Sequence, residues 1–124
     1  MRKILMLPAL VLLPAAGAMA GAMAGDADVL AADVDCNDRA ICNFSVTVQH
    51  ADAGWDHYAD KWEILDMDGN VIAVRELAHP HDNEQPFTRS LGKVQIPEGL
   101  EQVTIRAHDS VHGYGGEELV VELP

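Results

Sequence analysis

The chain has 124 residues, of which 20 are acidic and eight are basic, so its formal net charge at pH 7 is −12. A charge of this sign disfavours nucleic acid and anionic lipid as partners, and it suits a cationic partner such as a basic protein surface or a metal ion. The length is sufficient for one domain with a modest hydrophobic core.

The N-terminus has the pattern of a secretory signal peptide. Arg2 and Lys3 precede an apolar run at residues 4–13, and two Ala-Met-Ala triplets follow. Signal peptidase accepts small residues at this spacing, so we predict cleavage after Ala20 or Ala24. The apolar run is too short to span a bilayer, and no cysteine lies near either cleavage position. We therefore expect neither a membrane anchor nor a lipoprotein.

The predicted domain organisation is a signal peptide at residues 1–24 and one folded domain at residues 25–124. Cleavage after Ala24 removes two basic residues and no acidic ones, so the formal charge of the mature chain becomes −14. The predicted location is the periplasm or the extracellular medium, with no membrane attachment after cleavage.

The mature chain is rich in short segments with strand character and poor in helix signals. These segments lie at residues 29–35, 43–50, 58–65, 71–77, 87–96, 102–107 and 118–123, with 87–96 forming one strand or two. Turn signals separate them, including the Asp-Gly pair at residues 68–69. About seven short strands in a chain of this length predict an all-β fold, an immunoglobulin-like or fibronectin-like β-sandwich.

Alternation of apolar and polar residues is strictest in two of these segments, and it predicts one buried face in each. The buried residues are Phe44, Val46 and Val48 in the first segment, and Val103, Ile105 and Ala107 in the second. Trp62 is predicted to be the large aromatic side chain of the core.

Cys36 and Cys42 are the only cysteines, and the residues between them have turn character. An exported chain meets an oxidising compartment, so a disulfide that closes this short loop is the favoured interpretation. The alternative is half of a metal site with two cysteine ligands. That alternative is disfavoured because a separation of five residues matches zinc-site spacing poorly.

Six histidines lie in or beside three connections between the predicted strands. If consecutive strands run in opposite directions, all three connections lie at the same end of the sandwich, which we call the histidine end. Five carboxylates share that end: Asp52, Asp56, Asp82, Glu84 and Asp109. Imidazole is the commonest metal ligand among side chains, and carboxylates ligate the metal or orient its ligands. The alternatives are a solvated histidine-rich rim and an acid–base site.

The predicted metal ligands are the six histidines and one carboxylate: His50, His57, His79, His81, His108, His112 and Asp109. Imidazole combined with carboxylate suits Cu(II) or Zn(II), with non-haem iron as a further alternative. A thioether site for Cu(I) is disfavoured, because the only methionine after the signal peptide, Met67, lies at the opposite end.

Most of the mature chain resembles a family of small exported bacterial proteins that have no characterised function. The resemblance lies in residues 54–63, which begin Gly-Trp-Asp-His-Tyr, in residues 79–90, which begin His-Pro-His, and in residues 106–113, which end Ser-Val-His-Gly. It implies no activity.

A shorter stretch is similar to the iron domain of superoxide reductase (desulfoferrodoxin), which has an immunoglobulin-like fold. His50, and then His57 ahead of the aromatic strand at residues 62–65, match two ligands of that domain, and His112 before a glycine matches its last ligand. The resemblance therefore implies His50, His57 and His112 as ligands. It departs at Asp109, which stands where that family has its cysteine ligand.

These features favour a periplasmic metal-binding protein that acts as a carrier, a buffer or a resistance factor. A metalloenzyme acting on a small oxygen species and a non-metal module for binding a periplasmic protein are the alternatives. A binding role is favoured over a catalytic one, and nucleophilic hydrolysis in particular is disfavoured because no serine lies in a nucleophile elbow.

Overall fold

The structure is a computed structural model that describes residues 25–124. The predicted signal peptide, residues 1–24, lies outside the described residues. Seven strands follow one another along the chain: β1 (Asp28–Cys36), β2 (Ile41–Gln49), β3 (Ala59–Leu65), β4 (Val71–Glu76), β5 (Phe87–Gln95), β6 (Gln102–Asp109) and β7 (Leu119–Glu122). The predicted all-β fold of about seven strands is confirmed.

The strands form two antiparallel sheets that pack on a shared core. One sheet has the order β1-β2-β5 and the other the order β4-β3-β6-β7. Two antiparallel sheets around one apolar layer make a β-sandwich. Within the described residues, no helix is long and apolar enough to cross a membrane.

The core follows from the alternation seen in the sequence. Along β2 and β6 every second residue is buried, as expected for strands with one face on the core. Trp62 is fully buried between the sheets, which agrees with its predicted role. The segment at residues 87–96 forms one strand, with a bulge where Lys93 adopts a φ of 60°.

Strand directions place the histidine-bearing connections together. β2 ends at Gln49 beside the start of β5, and β6 ends at Asp109 beside the start of β3. The connections 50–58, 77–86 and 110–118 therefore leave the sandwich at one end. Five of the six histidines lie in these connections. The sixth, His108, is the next-to-last residue of β6, directly before the third connection.

Cys36 and Cys42 form a disulfide at the opposite end, across the β1–β2 hairpin. We expect reduction of this bond to lower the free energy of unfolding by about 2.4 kcal/mol, the chain-entropy value for a loop of about seven residues. Urea unfolding with and without reductant measures the difference. The matched control is the Cys36→Ser/Cys42→Ser double variant, whose stability should not respond to reductant. Equal stability of the oxidised and reduced proteins would contradict the expectation.

Candidate metal centre

Asp109 lies at the centre of the histidine end. It is the last residue of β6, where the alternation that buries Ala107 turns its side chain inward, and it is fully buried. Its Oδ1 accepts hydrogen bonds from two backbone N–H groups, those of Val111 at 2.6 Å and His112 at 2.8 Å. These bonds fix the carboxylate and leave Oδ2 free to face the histidines.

Three imidazole nitrogens converge on that second oxygen. Oδ2 of Asp109 lies 2.6 Å from Nε2 of His50, 2.9 Å from Nε2 of His57 and 3.3 Å from Nδ1 of His112. The three rings come from three places in the chain: the end of β2, the segment before β3 and the loop after β6. The fold, and not a local sequence motif, therefore assembles this group.

His50 is held by a carboxylate on each side. Its Nδ1 lies 2.5 Å from Oδ1 of Asp52, and the side chains of both residues are fully buried. Asp52 is itself fixed by the backbone N–H of Ala59 at 3.0 Å and that of His81 at 2.7 Å. A carboxylate that holds the distal N–H of a histidine in this way orients the other ring nitrogen toward a metal.

The Asp109 carboxylate is surrounded by backbone N–H groups and imidazole nitrogens, and these neighbours shift the pKa values of the group. Burial alone would raise the pKa of Asp109, but the backbone N–H groups of His112 and Val111, together with His57, hold that pKa far below its usual range. Burial alone would lower the pKa of His50, but hydrogen bonds to Asp52 and Asp109 raise it above its ordinary value. Both ring nitrogens of His50 face oxygen acceptors, an arrangement that favours the protonated form of the ring.

The dimensions of the group are those of a site that could hold a metal ion. One ligand atom from each of His50, His57 and Asp109 lies within 4.8 Å of the others. Ligands held 2.0–2.1 Å from a tetrahedral ion lie about 3.3 Å from one another. The separations of 2.6 Å and 2.9 Å between Oδ2 of Asp109 and the Nε2 atoms of His50 and His57 therefore need to open by less than about 1 Å to admit an ion.

The structure does not bring the other three predicted ligands to Asp109. His108 faces outward on β6, where its Nδ1 lies 2.6 Å from Oδ1 of Asp60. His79 is exposed, and its Nδ1 lies 3.0 Å from the carbonyl oxygen of Pro80. These two histidines belong to the surface of the histidine end.

His81 is also separate from the group. It is buried and stacks on Phe87 with ring centroids 4.0 Å apart, and neither ring nitrogen has a hydrogen-bond partner. Burial lowers its pKa, so the ring is neutral at pH 7. Its Nδ1 lies 3.9 Å from Oδ2 of Asp52, so it neighbours the residue that orients His50.

Two residues beside the centre were not predicted as part of it. The sequence predicts Asp52 at the histidine end but does not predict its contact with His50. The sequence predicts Gly25 only as the first residue of the domain, yet its carbonyl oxygen lies 2.7 Å from Nε2 of His50. A signal for the buried members did exist, since the alternation of β2 and β6, continued by one step, turns His50 and Asp109 inward.

Part of the chain is similar to a protein of known sequence. The chain is 47% identical over 79 residues to a protein from Halomicrobium mukohataei named "Putative lipoprotein". The matched segment covers 64% of this chain but 38% of the relative, so the chain spans much less than two thirds of that protein's length. No family model matches the chain. No solved structure matches it either.

Proposed function

We propose that the domain is an exported metal-binding protein that holds one divalent transition metal ion at the histidine end. The ligands are four side chains: His50, His57, His112 and Asp109. The observation that carries the proposal is the approach of three imidazole nitrogens, from three parts of the chain, to one oxygen of a buried carboxylate. An ion at this point replaces the protons that these groups share in its absence.

Three nitrogen ligands and one oxygen ligand suit Zn(II) or Cu(II), with non-haem iron as the alternative. Both cysteines of the chain are joined in the disulfide at the opposite end, so the site is built without thiolate.

The accessibility of the site supports a carrier or buffer role. The His50 and Asp109 side chains have no exposed area, whereas His57 is 26% and His112 is 42% exposed. The site is therefore closed to solvent on its inner side and open to solvent on its outer side. An ion can enter and leave through the outer side without unfolding of the sandwich.

The N-terminal sequence pattern supports export to the periplasm or the medium, with residues 1–24 as the signal peptide. The name of the relative from Halomicrobium mukohataei is consistent with this, since lipoproteins are exported proteins. A protein in such a compartment can exchange its ion with the surrounding solution, because His57 and His112 are partly exposed.

A second candidate function is a metalloenzyme of the superoxide reductase type. One observation favours it: the three histidines that the resemblance implies as ligands are the three that face Asp109. The discriminating measurement is superoxide decay by iron-loaded protein, compared with the same protein carrying Zn(II). Faster decay with iron would favour the enzyme, and equal decay would favour the carrier or buffer.

The test of the proposal is a titration of the metal-free protein with Zn(II) and with Cu(II). We expect one ion per chain in the wild-type protein. His57→Ala removes a ligand, so it should weaken binding by more than the roughly 10–100-fold that the loss of an outer hydrogen-bond partner costs.

The matched control is His79→Ala, which removes an exposed histidine of the same end that does not contact Asp109. Its affinity should equal that of the wild-type protein. Equal losses in the two variants would indicate a diffuse histidine-rich rim, and the absence of stoichiometric binding to the wild-type protein would contradict the proposal.

A further inference from the structure

The backbone of Gly25 lies in close contact with the three histidines of the proposed centre. Its carbonyl oxygen lies 2.7 Å from Nε2 of His50. A Cβ atom at this position would lie 3.0 Å from Cε1 of His112 and 3.1 Å from Cε1 of His57, closer than nine in ten real Cβ contacts. Any other residue here would require the two imidazole rings to move away by a few tenths of an ångström.

Hydrogen bonds to the loop after β6 hold the residues that follow Gly25. The backbone N–H of Glu117 donates to Oδ1 of Asp28 at 2.8 Å, and that of Val29 donates to the carbonyl oxygen of Glu117 at 2.9 Å. A Cβ atom at Gly116 would lie 2.0 Å from the carbonyl oxygen of Ala27. This glycine therefore lets the loop after β6 lie against residues 26–28, which holds Gly25 at the histidines.

Signal-peptide cleavage after Ala24 would make Gly25 the first residue of the mature chain. Its α-nitrogen is bonded to the same Cα atom whose Cβ position lies between His57 and His112. Its carbonyl oxygen already faces His50. An amino nitrogen and the carbonyl oxygen of the same glycine can close a five-membered ring on a metal ion.

We propose that the α-amino group of Gly25, released by cleavage after Ala24, is an additional nitrogen ligand of the metal held by the histidines and Asp109. This inference rests on the proposed metal-binding function. It also assigns the cleavage position, because cleavage after Ala20 would place the α-amino group four residues upstream of the centre. The geometry explains why the mature chain would begin with glycine, the residue that fits against the two rings.

The test compares two proteins, each exported with its own leader and purified from the export compartment. One is the wild-type protein. The other has Ser-Ser inserted between Ala24 and Gly25, so that cleavage after Ala24 leaves the α-amino group two residues away from the rings. Intact mass establishes the first residue of each mature chain. Cu(II) affinity is then measured by competition with a chelator, together with thermal unfolding of the metal-free proteins.

We expect the wild-type mass to begin at Gly25 and the inserted variant to bind Cu(II) at least about tenfold more weakly, a loss at the lower end of that seen when a single supporting group is removed from a metal site. The metal-free melting temperatures of the two proteins should agree. A wild-type chain that begins at Gly21, or equal Cu(II) affinities, would overturn the inference and leave the side-chain site standing. If neither protein binds Cu(II) or Zn(II), the proposed function itself fails.

Discussion

Replacing Asp109 by asparagine is expected to lower the free energy of unfolding of the metal-free protein by about 3–5 kcal/mol, the cost of removing one partner from a buried ion pair. The variant keeps the size of the side chain and an oxygen that can accept the backbone N–H groups of Val111 and His112. It removes the negative charge that faces His50. The buried imidazolium of His50 then lacks one of its two carboxylate partners.

The matched control is Asp60→Asn. Asp60 and His108 form a pair with the same 2.6 Å separation as Asp109 and His50, but both of its side chains are about a quarter exposed. A partly exposed pair contributes roughly 0–1 kcal/mol, so this variant should unfold almost like the wild-type protein. Urea unfolding in the presence of a chelator measures both variants. If both variants lose a similar amount of free energy of unfolding, burial of the ion pair does not explain the contribution of Asp109 to stability.

The strand pattern was predictable from sequence because each strand has one face on the core. In β2 and β6 the alternation of apolar and polar residues determines which side chains point inward. The same alternation accounts for the buried positions of His50, two residues after Val48, and of Asp109, two residues after Ala107. The strand at Phe87–Gln95 was harder to predict, because its bulge near Lys93 interrupts the period of two.

The composition of the centre was less predictable than its location. Antiparallel connectivity brought all the histidine-bearing loops to one end, but it could not tell which rings share a partner. His57 and His112 reach Asp109 through irregular loops, whose conformations depend on contacts made after folding. Asp52 illustrates the difficulty, because its carboxylate is positioned by the backbone N–H groups of Ala59 and His81 from two different connections.

The stability of the protein should depend on pH in opposite ways with and without metal. Without metal, the pKa of His50 is raised by Asp52 and Asp109, so its contribution is fully present below the unfolded pKa of about 6.5. That contribution is lost as pH rises through the folded pKa. The pKa of Asp109 is lowered, so its contribution is present above the unfolded pKa of about 3.9 and is lost only in strong acid. The metal-free protein should therefore become less stable as pH rises above about 6.5.

With metal the sign reverses, because protons compete with the ion for the imidazole nitrogens. At pH 7 an ion present at a hundredfold excess over its dissociation constant should stabilise the fold by roughly 2.7 kcal/mol. At about pH 5, where unperturbed histidines are mostly protonated, the same ion concentration should stabilise it little. Unfolding measured with chelator, with Zn(II) and with Cu(II) at both pH values would reveal the divergence. A metal-induced stabilisation of equal size at the two pH values would point to ligation by carboxylates alone, since these remain ionised over this range and release no histidine proton when the ion binds.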